Sequence, residues 1–197
     1  MKKSGTLLSM VALLCVLLAC KMMGGGKSYP DSTDGLKQLA TDLRSADAAE
    51  GAKLGKDLAL PDPSAFFSAT FGAEHAAKLA SDYAVDVPKL PTINGFFKMA
   101  ESNGKTELLI ERHTSPDDDE ANALQESALR AMKTPVALYT INCVEPGKTI
   151  GSSLWSFAYV DGKFRYLGKL KALKPGASPI DELSKKDVKA ALGGGGE

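Results

Sequence analysis

Residues 153–170 read SLWSFAYVDGKFRYLGKL, and they carry the clearest turn signal in the chain. Asp161-Gly162 separates two runs rich in aromatic and aliphatic residues, and such a two-residue link is the strongest short-range mark of a β-hairpin. In the first run Trp155, Phe157 and Tyr159 alternate with smaller residues, which predicts one strand face for all three. Upstream, VALYTINCV (136–144) reads as another strand, with Ala137, Tyr139, Ile141 and Cys143 on a shared face. KTELLIER (105–112) places Thr106, Leu108 and Ile110 on one side of a fourth. Between these two runs, Ser115, Pro116 and Asp118 form a capping-box-like helix start. Ala121, Leu124, Ala128, Leu129 and Met132 carry that helix forward.

From Asp34 to Asn103 the period is helical. Leu36, Leu39, Ala40 and Leu43 fall on one stripe, and Ala52, Leu54, Leu58 and Leu60 suggest a shorter second helix. Asp62-Pro63 is an N-cap followed by proline at the first helical position, leading through Phe66, Phe67 and Phe71. After Gly72 the period resumes with Ala76, Leu79, Ala80 and Tyr83. Pro88 and Pro91 break the chain before a stripe of Leu90, Ile93, Phe97 and Ala100, and Asn103-Gly104 turns the backbone. Helices, strand, helix and then three strands in an antiparallel meander define an α+β fold. The hairpin residues LWSFAYVDGKFRYLGKL resemble the closing hairpin of the nuclear transport factor two-like (cystatin-like) superfamily. That resemblance implies N-terminal helices packed on the concave side of a curved antiparallel sheet.

The N-terminus has a different character. Lys2 and Lys3 precede Thr6–Ala19, an apolar run without charge. At about 1.5 Å of helical rise per residue the run falls short of a roughly 30 Å hydrocarbon core, and it is oily on every face. It reads as a secretory signal peptide. Leu17-Leu18-Ala19-Cys20 resembles the lipobox of bacterial lipoprotein precursors, although Leu18 is bulkier than the residue usual there. The resemblance implies cleavage before Cys20, a diacylglycerol on its thiol and acylation of the new amine. Cys15 leaves with the leader. Lys21 stands where an aspartate often signals inner-membrane retention in some bacteria, so the address implied is the outer membrane, with the lipid bilayer as first partner.

The domains expected are therefore a signal peptide at 1–19, a lipidated cysteine with flexible tether at 20–33, an α+β globular domain at 34–173, and a tail at 174–197. The tail carries a short helix with Ile180, Leu183 and Val188 on one side.

Composition narrows the chemistry. The 197 residues hold 24 basic and 24 acidic side chains, and loss of Lys2 and Lys3 leaves 22 against 24. That balance excludes the basic footprint of a nucleic-acid binder. His75 and His113 are the chain's two imidazoles, the side-chain type that serves as a proton carrier near neutrality. His75 sits among alanines and reads as a boundary residue. His113 precedes a run of acids, Asp117-Asp118-Asp119-Glu120, which complements a helix N-terminus without any metal. Cys143 reads as a small core residue. There is no phosphate loop, Gly-x-Ser-x-Gly, His-Glu-x-x-His or Cys-x-x-Cys. No catalytic residue, cofactor or metal ligand is therefore assigned. The aromatics supply the candidate binding set: Phe67, Phe71, Phe97, Trp155, Phe157 and Tyr159, lining a pocket if helices cover the sheet. Three functions emerge, in this order: a lipid-anchored, non-catalytic domain that binds an envelope protein or serves envelope structure; a lipoprotein binding a small apolar ligand; and an envelope enzyme using a histidine with a carboxylate.

Overall fold

The hairpin anchors the observed architecture. A computed structural model describes residues 27–174, so the signal peptide, Cys20 and the tail beyond Lys174 lie outside the described residues. Asp161 and Gly162 both adopt positive φ, +52° and +76°, and join β3 (Gly151–Val160) to β4 (Lys163–Tyr166). A type I′ turn requires this conformation at both positions, and its twist matches that of the flanking strands. With β1 (Glu107–His113) and β2 (Leu138–Val144) the strands form one antiparallel sheet in the order β1-β2-β3-β4. The fold is α+β, as the sequence predicts.

Among the described residues six α-helices flank this sheet. They are α1 (Thr33–Ser45), α2 (Ala48–Asp57), α3 (Pro63–Phe71), α4 (Ala73–Asp86), α5 (Asn94–Ser102) and α6 (Ala123–Ala131). The apolar stripe of α1 is wholly buried, and the Asp62 carboxylate caps α3 through the Ala65 N–H at 2.9 Å. Pro88 and Pro91 convert the link between α4 and α5 into a 3₁₀ turn, Val87–Thr92. On α2, Gly55 is required by close approach: a Cβ there would stand 1.9 Å from the Leu90 carbonyl oxygen.

Both faces of the sheet are covered. In antiparallel pairs, directly opposed residues share a face, so Leu108, Ile110, Tyr139, Ile141 and Cys143 point one way, with Leu154 opposite Ile141. They meet Leu36, Leu43, Leu90 and Phe97 from α1, the 3₁₀ turn and α5. The opposite face directs Leu138 and Ala158 toward Phe67, Phe71, Leu79 and Leu129 from α3, α4 and α6. One sheet thus separates two apolar cores.

Three expectations need correction. First, α6 does not begin at Ser115. Asn122 caps it, accepting from the Leu124 and Gln125 N–H groups, while Gln125 returns a bond to the Asn122 backbone. The Asp118 carboxylate, expected at a helix start, instead accepts from the Glu120 N–H in a turn and engages His113. Second, Trp155 does not share a face with Phe157 and Tyr159. Tyr139 opposes Phe157 while Thr140 opposes Trp155, so Ser156 is an extra residue in a β-bulge at φ +65°. One inserted residue turns everything beyond it to the other face. Third, the stretch assigned to a free tether is docked from Tyr29 onward. Tyr159 Oη donates to the Tyr29 carbonyl at 3.0 Å, and Tyr139 Oη donates to the Asp31 carboxylate at 2.7 Å.

Candidate functional site

The concentration of titratable and polar side chains lies on the second face of the sheet, at the His113 end of β1. His113 has no exposed surface. Its Nδ1 is 3.0 Å from Asp118 Oδ2, and its Nε2 lies 3.4 Å from Thr140 Oγ1 and 3.6 Å from Glu111 Oε2. The network runs outward from the ring in two directions. Gln125 Nε2 donates to Thr140 Oγ1 at 2.9 Å, bringing α6 into contact with β2. Asn142 Nδ2 donates to Glu111 Oε1 at 2.6 Å, and Ser153 Oγ donates to Asn142. Thr140, Asn142 and Gln125 are all buried, so each depends on these bonds to offset the loss of water.

Charge in this cluster is unevenly held. Burial raises the Glu111 carboxyl above its ordinary value, and the attraction of His113 opposes that rise. The Glu120 N–H, with the His113 hydrogen bond second, lowers the Asp118 carboxyl. Asp118 and Glu111 address opposite nitrogens of the ring. A metal bound at one nitrogen needs its other ligands gathered around that same nitrogen. Among the described residues no group of three His, Cys, Asp or Glu side chains is arranged to hold an ion. The cluster ties the 114–122 loop and α6 to the sheet, through His113–Asp118 and Gln125–Thr140.

A second polar assembly fixes the start of the body. Tyr29 Oη donates to Asp42 Oδ2 at 2.7 Å, and Lys27 Nζ approaches the same carboxylate oxygen at 3.2 Å. The Tyr29 hydrogen bond is the main reason the Asp42 carboxyl lies below its ordinary value, with Lys27 adding to it. Arg112 Nε donates to Tyr139 Oη at 2.9 Å, and that hydroxyl in turn holds Asp31. Residues 29–31 are therefore strapped across the first sheet face by α1, β2 and β3, with Arg112 of β1 supporting the Tyr139 hydroxyl.

The aromatic set does not assemble into one lining. Phe67 and Phe71 belong to the second core, Phe97 and Phe157 to the first, and none of the four has exposed surface. Phe67 meets Tyr83 edge-on at 5.8 Å, and Tyr159 meets Phe164 edge-on at 5.1 Å. Trp155 is half-buried, with the Lys169 ammonium 5.7 Å from its ring centre. Cys143 lies in the first core, where burial pushes its thiol up. His75 occupies the first turn of α4, and the adjacent Glu74 is engaged by Lys133 at 2.7 Å.

Sequence reading missed the strap at Tyr29 and Asp31 because its partners on the sheet, Tyr159 and Tyr139, lie more than a hundred residues away. It also missed the polar network, although the alternation of Thr140 and Asn142 with apolar residues in β2 was a visible signal of a polar second face. No family model, curated protein or solved structure matches this chain.

Proposed function

We propose that this chain is a bacterial lipoprotein, anchored to the outer membrane by acyl chains on Cys20. Its α+β body acts without catalysis, as a partner-binding or structural element of the envelope. The observation that carries the reading is the junction at Leu17-Leu18-Ala19-Cys20, where an uncharged apolar run after two lysines stops at a cysteine. Buried acyl chain contributes about 0.8 kcal/mol per CH₂, and stable anchoring takes more than one chain. A diacylated or triacylated cysteine meets that requirement without a spanning helix. Among the described residues no helix is long and apolar enough to cross a membrane.

The strap at Tyr29 supports a close tether. Eight residues separate Cys20 from Tyr29, and fully extended chain reaches about 3.3–3.6 Å per residue. An anchor at Cys20 therefore keeps the body within about 30 Å of the lipid surface. The non-catalytic part of the reading is supported by the enclosure of His113, whose ring nitrogens already face Asp118, Thr140 and Glu111 and whose surface is wholly buried. A general base must come within hydrogen-bond reach of its substrate. The aromatics at Phe67, Phe71, Phe97 and Phe157 are engaged in core packing and give no support to the apolar-ligand reading.

The test is intact-mass measurement of the protein extracted in detergent from its native host, together with fractionation of C20S. The expected mass is that of a chain beginning at Cys20 plus two or three acyl groups, and C20S leaves the membrane fraction. A chain beginning at Met1 with a free Cys20 thiol, or membrane partition unchanged in C20S, overturns the anchor. In-cell crosslinking from the body is expected to return a reproducible envelope partner.

A further inference from the structure

An apolar groove of about 800 Å³ runs between α6 and the short 3₁₀ turn Lys171–Leu173. Leu124 and Ala131 line one side and Leu173 the other, with Arg130, Lys171 and Lys174 among the lining residues. Arg130 is already paired with Asp117 at 2.9 Å and Glu126 at 3.2 Å. Among the described residues, Lys171 and Lys174 have no ion-pair partner, so the groove offers apolar walls and two uncompensated positive charges.

The chain itself indicates the occupant. Lys174 is both the last described residue and a lining residue of the groove, so the segment C-terminal to it departs from the groove's own edge. That continuation places Ile180, Leu183, Val188 and Ala191 on one side at helical spacing, with Asp187 inside the same stripe and Lys185, Lys186 and Lys189 outside it. Asp187 supplies the charge that Lys171 and Lys174 lack. The stripe from Ile180 to Ala191 covers twelve residues, about 18 Å at helical rise, against nine residues and about 13 Å in α6. Residues 175–177 link Lys174 to this segment and reach about 10 Å when extended.

We propose that segment 178–192, which lies outside the described residues, docks in this groove as an amphipathic helix. There it covers Leu124, Ala131 and Leu173 and completes the second core. The proposal does not depend on lipidation, so the two readings fail separately.

Hydrogen exchange on the full chain tests it, comparing the parent with the double variant I180D/L183D. The expected result is exchange at least tenfold faster in α6 and in Lys171–Leu173, with amides of β2 and β3 unchanged. Protection in β2 and β3 reports that the body remains folded, and K189D, outside the stripe, serves as control. K174D is expected to speed exchange in α6, and D187K added to K174D to restore it. Equal α6 exchange in parent and double variant overturns the proposal. Protection that appears only as concentration rises assigns the groove to a second copy and also overturns it. So does protection that appears only when an envelope extract is added, which assigns the groove to another protein.

Discussion

Ser156 concentrates two unfavourable features in one residue. Its φ of +65° lies in the left-handed region, which costs a non-glycine residue about 1–2 kcal/mol. Its hydroxyl is fully buried and has no hydrogen-bond partner among the described residues. What holds it there is the backbone: the Ser156 carbonyl accepts from the Leu167 N–H at 2.8 Å, fastening the chain after β4 to the bulge. S156G removes both the strain and the unpaired hydroxyl, at the cost of greater freedom in the unfolded chain. We expect it to stabilise the fold by a net of about 1 kcal/mol, measured by urea denaturation. S156V keeps the strain and adds a branched side chain, and it is expected to destabilise. Should S156G lower the denaturation midpoint, the bulge conformation is not the strained element inferred here.

Two elements owe their position to side-chain bonds that a single substitution removes. Helix α6 is capped by Asn122, so N122A is expected to cost about 1 kcal/mol, the usual effect of losing a cap. S115A, at the position where local sequence predicts the cap, is expected to change stability by less than about 0.5 kcal/mol. Thermal melts of the two variants separate these alternatives. The N-terminal strap depends on the Tyr29–Asp42 bond, and Y29F is expected to cost about 1 kcal/mol at pH 7. The pH dependence has a definite sign. Asp42 is held below its ordinary value of 3.8, so its contribution is complete above that value and is lost as pH falls through the lower, folded-state value. The deficit of Y29F is therefore expected to shrink below about pH 4, and a deficit that grows there contradicts the assignment. Glu111 acts in the opposite sense. Its raised carboxyl makes stability fall as pH climbs from its ordinary value of 4.5 through the folded-state value.

At the scale of the molecule, one sheet serves two cores. Strand β2 feeds both, sending Tyr139 and Ile141 one way and Leu138 the other, and all three are fully buried. A strand shared in this way couples the two cores, because neither keeps its wall when the other opens. We expect one cooperative transition, with far-ultraviolet dichroism and Trp155 fluorescence coinciding. F97A in the first core and F67A in the second are each expected to cost about 3–5 kcal/mol and to shift that single transition. A biphasic melt in either variant would show that the cores unfold independently.

Much of this architecture is written locally. The Asp161-Gly162 turn, the Asp62-Pro63 start of α3, the stripe of α1 and the proline-broken link after α4 are each decided by a few neighbouring residues. Short-range steric and hydrogen-bonding preferences determine them, and the sequence displays those preferences directly. The anchor motif at Cys20 is of the same kind, a contiguous pattern. The bulge at Ser156, the enclosure of His113 and the strap at Tyr29 belong to the tertiary structure. Tyr159 and Tyr29 are 130 residues apart, and Tyr139 and Asp31 are 108. No periodicity encodes such pairings, because they exist only once the sheet has brought the Tyr139 hydroxyl to the Asp31 carboxylate and the Tyr159 hydroxyl to the Tyr29 carbonyl. The candidate aromatic site divided because helices pack on both sheet faces, placing Phe67 and Phe71 in one core and Phe97 and Phe157 in the other. On β3 itself, alternation assigns a residue to a face only while register is unbroken, and one inserted residue, held by a backbone bond from Leu167, sent Trp155 to the opposite face.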